Sequence, residues 1–422
     1  MDRAKKGILI KNADLIDGTG QSPRKNARLL IEGDRVAAID PGKPIDTIDE
    51  SDWVVIDAQG KTVLPGLIDC HNHMGIVSEK ITEHDIIPLE LNTLIAARDV
   101  ESVLMAGFTT ARCMGGRGNI EISIRDGIDK GLIHGPRLLV AGRYITCTGG
   151  LMDYYPSWIS SPSGLGVVAD GPVEMLKAVR NMIKVGADLI KIDGSGATTS
   201  PYCPPDKPTL SMEEMKAVVE EAKRHNRRVA IHAETAQSVK DAVRAGVNTV
   251  EHGIFLDAES ARLMKAAGVY FIPTIGITYS RYRSGEKEKM PDFMRQRVTH
   301  VYERHAQSME LAADIGVKMA IGTDVGVAIP AGKNAYELSC FVQHGFSPME
   351  AIVAATKTAS EALGIDAEVG TLEVGKKADV IVIDGNPLDD IRILQDTSRI
   401  ALIVKQGEII KNALVPAPHR PQ

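Results

Sequence analysis

The sequence predicts an α/β fold: a (β/α)8 TIM barrel with a small β-sandwich domain composed of N- and C-terminal segments. Three observations carry this expectation. Between "VLPGLID" and "VKMAIGTDVG", eight short apolar segments alternate with amphipathic helical stretches, the rhythm of right-handed β-α units. The first sixty or so residues read instead as short alternating strands with Gly and Asp at the bends: "GILIKNADLIDGTG", "ARLLIEGDRVAAID" and "WVVIDAQG". That texture returns after residue 365 or so in "VGTLEVGKKADVIVIDGNP" and "RIALIVKQGEIIKN", so both ends can pair into one sheet domain. The boundaries read as 1–64 with 363–422 for the β domain and 65–362 for the barrel.

The barrel elements follow in order. Strand one, "VLPGLID", runs into His71 and His73, and the helix "LNTLIAARDVESVLMAG" precedes strand two, "FTTARCMGG". Strand three is "PRLLVAGRYIT", and "MLKAVRNMIKVG" leads to strand four, "ADLIKID". "SMEEMKAVVEEAKRHN" precedes strand five, "RRVAIHAE", and "SVKDAVRAG" precedes strand six, "VNTVEHG". "ESARLMKAAG" leads to strand seven, "VYFIPTI", and "ERHAQSMELAADIG" to strand eight. The charged "SRYRSGEKEKMPDFMRQR" between the last two reads as a solvated helical insertion or lid.

With 422 residues, 44% of them hydrophobic, the chain has room for one large and one smaller domain. A net charge of -6 gives no reason to expect nucleic acid or an acidic membrane as partner. The expected partner is a small-molecule substrate, and a homo-oligomer stays open. The opening lacks the continuous apolar run of a signal peptide, and no run is long enough to span a bilayer. Cys70, Cys113, Cys147, Cys203 and Cys340 are odd in number and scattered, which predicts reduced thiols and a cytoplasmic location.

Chemistry on such a barrel gathers at the strands' C-terminal ends. Residues i and i+2 of a strand share a face, so His71 and His73 aim at one point. Strand four carries Lys191, strand five His232, strand six His252 and strand eight Asp324. Each alone has an ordinary reading: a snorkelling lysine, a hydrogen-bonded core histidine, a helix-capping aspartate. Together, at one end of one barrel, they suit zinc or another first-row divalent ion. The remaining histidines (84, 134, 225, 300, 305, 344 and 419) fall in helices or loops and read as solvated.

His71-x-His73 after "PGLID", Lys191 in "ADLIKI", His232 in "IHAE", His252 in "VEHG", Asp324 in "GTD" and the terminal "GTLEVGKKADVIVIDGNP" resemble the amidohydrolase superfamily over nearly the whole chain. The strand-four lysine is similar to that of the binuclear imidazolonepropionase-like, Xaa-Pro dipeptidase-like and ochratoxinase-like branch, where it is carboxylated and bridges two metals. The resemblance implies one divalent ion on His71, His73, Lys191 and Asp324, and a second on Lys191, His232 and His252. Zinc is the first expectation, with manganese or cobalt as alternatives. It further implies a metal-bridged hydroxide and Asp324 as general acid/base in cleavage of a C–N bond. The substrate expected is a small amide, a cyclic amide or an N-acyl, dipeptide-like compound, and lactone or ester hydrolysis is chemically close. An ammonium beside two dications would be repelled, so Lys191 must be neutral or modified. Arginine could not substitute, because it stays charged.

Two departures bear on substrate. Glu234 stands where many Xaa-Pro dipeptidase-like relatives have His or Tyr, and Leu151-Met152 stand where they often have His-Gly. A glutamate would repel a free carboxylate, so a neutral, cyclic or cationic group fits better. Glu234 could instead hold a metal-ligand histidine from behind, and Asp193 carries the same ambiguity. Tyr154, Tyr155 and Trp158 are candidates for an apolar pocket wall or a loop anchor, and Arg112 for orienting a carbonyl or a carboxylate behind the ligands. The competing readings are a mononuclear aminohydrolase deaminating a heterocycle, against which Lys191 argues, and a catalytically silent scaffold. A serine esterase lacks its G-x-S-x-G elbow.

Overall fold

The computed structural model describes residues 5–40, 48–78, 81–159, 164–284, 290–326 and 328–414. Strand one of the barrel is Leu67–Asn72, strand two Phe108–Cys113, strand four Leu189–Asp193, strand five Arg228–Thr235, strand six Thr249–Phe255 and strand seven Tyr270–Ile272. Their pairings are parallel. Strand three is split: Arg137–Val140 pairs with strand two, and Tyr144–Thr146 meets strand four through Ile145 and Ile192.

Strand eight forms no ladder. Residues 319–325 close the barrel through isolated bridges, Phe271 to Met319 and Asn72 to Val325. Cys70 N donates to Ile321 O at 2.9 Å and Asp324 N to His71 O at 2.8 Å, so this segment still lies between strands seven and one. Two features break its regularity. Asp324 sits at φ 54°, outside the β region. Gly322 also lies so close to the neighbouring strands that a Cβ there would stand 2.3 Å from Ile272 Cγ2 and 2.8 Å from His71 Cβ.

The helices begin and end on local signals. Met212–Arg224 starts at a capping box between Ser211 and Glu214 and buries Met215, Val218 and Ala222 against the sheet layer. Gly171–Val185 ends at Gly186 (φ 100°), a left-handed conformation that glycine adopts without steric cost. The insertion after strand seven forms helices Ile275–Arg283 and Asp292–Ile315. It is not simply solvated: Met294 is buried, and Arg281, Phe293 and Met294 line the chamber above the barrel. Residues 285–289 of it lie outside the described residues.

The chain ends combine in one eight-stranded sheet, ordered Glu408–Asn412, Ile400–Lys405, Val380–Ile383, Thr62–Pro65, Gly7–Leu15, Arg24–Glu32 and Arg35–Ile39, with Val54–Asp57 also pairing Gly7–Leu15. Val36 N donates to Lys376 O at 2.9 Å, which brings one edge back towards the approach to Val380. The sheet thus folds over an apolar core shared by Ile8, Ile10, Leu29, Val36, Val63, Val380 and Leu402, with a smaller cluster of Leu9, Leu30, Ala38 and Trp53 beside it. The sandwich is one sheet wrapped on itself. Among the described residues, no helix is long and apolar enough to cross a membrane.

Candidate metal centre

His71 and His73 leave the end of strand one with their Nε2 atoms 3.2 Å apart. Asp324 Oδ1 lies 3.2 Å from His73 Nε2 and 3.6 Å from His71 Nε2. The other nitrogen of each ring is committed as a donor. His71 Nδ1 is 2.8 Å from Glu251 Oε2, and His73 Nδ1 is 2.9 Å from Gly115 O. Both Nε2 atoms are therefore left as lone-pair donors facing a carboxylate, which repel one another unless a cation stands among them. Without a metal, one proton on His73 serves: burial lowers its pKa, but the bond to Asp324 outweighs this and the net shift is upward. A bound metal ion would displace that proton.

The ring of imidazoles continues inward. His71 and His252 have centroids 5.0 Å apart, and His252 and His232 4.5 Å. His252 Nδ1 is bonded to Thr274 Oγ1 at 2.8 Å, and His232 Nε2 donates to Gly196 O at 2.9 Å, leaving one nitrogen of each ring for a ligand. Burial pushes His71 down to about 4 and His232 to about 3, and it also lowers His252, with the neighbouring His232 adding to the effect. Neutral imidazole is the form that binds metal. Lys191, 1% exposed, has its pKa lowered by burial, although Asp193, Glu251 and Asp324 pull the other way. His71, His73, Lys191, His232, His252 and Asp324 all line one chamber of about 860 Å³.

The geometry also places what sequence alternation misses. Glu251 and His252 are adjacent, so a regular strand would point them to opposite faces. His252 adopts φ 70°, and both side chains face inward. Glu251 accepts from His71 and, at 2.8 Å, from Arg112 Nη2. Burial opposes its ionisation, but Arg112 and His71 hold its pKa down at about 2. Tyr144, at the split in strand three, brings its hydroxyl 2.8 Å from His73 Nδ1.

Arg112 takes the second of its two expected places: buried outside the chamber, it donates to Glu251, the carboxylate behind His71, and to Cys70 O, so it is not a substrate contact. Other sequence expectations are corrected. Tyr154 lines the chamber, but Tyr155 instead donates to Asp85, and Trp158 is 82% exposed. Tyr155 is held by its bond to Asp85 and Trp158 stands in solvent, so neither ring walls the chamber. Glu234 lines the chamber with Oε1 3.5 Å from His232 Nε2, so the Gly196 carbonyl, not Glu234, orients that ring. His84 and His305 are not solvated. His305 is buried with Nδ1 on Thr278, and His84 is 2% exposed in the chamber wall. His419 lies outside the described residues.

A model of the amidohydrolase family matches residues 62–410. Ochratoxinase from Aspergillus niger is 30% identical over 97% of this chain and 88% of its own length. Its crystal structure superposes with a TM-score of 0.86 at 29% identity, covering 97% of this chain and 96% of that one. The crystal structure of a Xaa-Pro dipeptidase with bound methionine in the active site gives a TM-score of 0.83 at 33% identity, over 96% of this chain and all (100%) of that one. Imidazolonepropionase from Symbiobacterium thermophilum is 24% identical over 96% of this chain and 93% of its own. The chain belongs to the amidohydrolase family, as a carbon–nitrogen hydrolase of the branch that contains imidazolonepropionase, Xaa-Pro dipeptidase and ochratoxinase.

Proposed function

We propose that this chain hydrolyses the amide bond of a small N-acyl, dipeptide-like or cyclic amide with the help of two divalent ions. The observation that carries the reading is the convergence of His71, His73, His232, His252, Lys191 and Asp324 in one chamber, with lone pairs facing one another at 3.2 Å. His71, His73, Asp324 and Lys191 would hold one ion, and His232, His252 and Lys191 the other. Zinc suits this nitrogen and oxygen set best, and manganese or cobalt also fits it. Burial favours the neutral amine of Lys191, which can add carbon dioxide and become an anion able to bridge. Bound there, such ions would supply Lewis acidity and lower the pKa of a coordinated water to roughly 7.

The chain's own groups do the rest. Burial works against the Asp324 anion, but its bond with His73 and the nearby histidines hold its pKa well down. In the loaded site its carboxylate, placed beside the ligand histidines, would take a proton from the attacking water and deliver it to the departing nitrogen. Ile76, Ile254, Ile277 and Phe293 give the chamber apolar walls. Relatives named as a Xaa-Pro dipeptidase and a prolidase support a dipeptide-like amide.

The test is metal content per chain after growth with bicarbonate, for the parent and Lys191→Ala, paired with a screen of amides, cyclic amides and lactones. Two ions falling sharply in the variant, with amide cleavage in the parent, is the expected result. One ion, unchanged without Lys191, together with ammonia release from heterocycles, would overturn the reading in favour of a deaminase.

A further inference from the structure

Two acids of the chamber have no part in that chemistry. Asp193 closes strand four, two residues past Lys191, and Glu234 lies two past His232 on strand five. By alternation both share the inward face. Asp193 is in register with His232, so Asp193 and Glu234 stand diagonally across neighbouring parallel strands. Both line the chamber, at 0% and 4% exposure.

Buried polar groups are hydrogen-bonded in the great majority of cases. Asp193 Oδ1 and Oδ2 and Glu234 Oε2 have no partner among the described residues. Lys191 Nζ stays 3.9 Å from Asp193 Oδ1, beyond hydrogen-bond reach, and the reading above commits it to the metals. Arg281 lines the same chamber and its charge reaches Glu234, yet Oε2 remains unanswered. Three orphaned acceptors call for a donor-rich group. A hydroxyl brings one donor and a primary amide two, whereas a protonated amine brings three and a complementary charge.

We propose that the substrate carries a primary ammonium group seated between Asp193 and Glu234. Because these acids flank Lys191 and His232 in sequence and share their face, the amine lies only a few bonds from the cleaved carbonyl, as in an aminoacyl amide. The position of the scissile bond rests on the hydrolase reading. The ammonium rests only on the orphaned oxygens.

Binding without turnover separates the two. L-Leucinol and 4-methylpentan-1-ol differ only in the amine, and neither carries a bond for a hydrolase to cleave. Each is titrated against metal-loaded protein and followed by melting temperature, for the parent, Asp193→Asn, Glu234→Gln and the double variant, with metal content measured alongside. The expected result is at least about tenfold tighter binding of L-leucinol to the parent, and a preference within about twofold in the double variant with metal retained. Equal or tighter binding of the amine-free alcohol, no stabilisation by L-leucinol, or a preference that survives both substitutions overturns the proposal. Loss of metal in Asp193→Asn overturns it for Asp193 and makes that residue a support of the metal centre. Discrimination for the amine with no cleavage of any amide would count against the hydrolase reading and leave the ammonium site standing.

Discussion

Glu251 Oε2 accepts from His71 Nδ1 at 2.8 Å, which fixes both the tautomer and the tilt of the first ligand ring. The other oxygen is bound by Arg112, so the carboxylate is a buried anion answered from two sides. Glu251→Gln should keep the shape and weaken metal binding roughly 10–100-fold. Glu251→Ala should cost about 3–5 kcal/mol of stability as well, because Arg112 is left buried and charged without its counter-ion. Chelator competition reads the first and denaturant unfolding the second. Unchanged metal affinity in both variants would show that the carboxylate does not tune the site.

Asp324 sits at φ 54°, a conformation that Asn also tolerates, so Asp324→Asn tests chemistry with little backbone penalty. It should lower kcat by about 10²–10⁴-fold, the range of a lost general acid/base. If metal is retained and kcat falls less than about tenfold, the proton passes through another group.

Asp69 ties strand one to the irregular eighth segment. It accepts from His71 N and Thr323 N at 3.0 Å, from the Thr323 hydroxyl at 2.6 Å and from Asn334 Nδ2 at 2.7 Å. Asp69→Ala orphans several buried donors, at roughly 1–3 kcal/mol each, and should destabilise the fold by about 3–5 kcal/mol. A cost under about 1 kcal/mol in denaturant unfolding would mean that the seam is held by its backbone bonds alone.

Glu121 accepts from Gly115 N at 3.2 Å, and burial lifts its pKa from 4.5 to about 8. Between those values the folded chain keeps a proton that the unfolded chain has lost. Stability of the metal-free protein should therefore fall as pH rises through this window, by roughly 2–4 kcal/mol overall. Glu121→Gln should flatten the slope, as read from melting temperature between pH 5 and pH 8. A slope identical in the variant assigns it to other groups.

The convergence of the four histidines, Lys191 and Asp324 was legible because β-α alternation places strand C-termini at one end of a barrel whatever the loops do. The composite sheet was legible from strand texture at both termini. Glu251 was not, because reading it required the left-handed turn at His252 that breaks alternation. The burial of His84 was hidden in a short helix, Ile81–Asp85, whose place is set by distant contacts, with Arg117 donating to the carbonyl of Asp85 at 2.9 Å. Trp158 misled for a related reason: aromatic content marks a contact but not its direction. Strand eight reads as an ordinary strand in "VKMAIGTDVG", yet close approach at Gly322 and the turn at Asp324 deny it a ladder.

The terminal sheet has a consequence for how the chain is made. Pro65 pairs with Val380, and Leu64 with Ile381. The N-terminal strands thus leave the ribosome roughly 300 residues before the strand that covers them. At about 5–20 residues per second, they wait some 15–60 s with apolar edges unpaired. During that interval the nascent barrel must mature beside an open β edge, the kind of surface that chaperones bind and that aggregates recruit. Yield during expression should accordingly respond to translation speed and temperature more than to the stability of the finished protein.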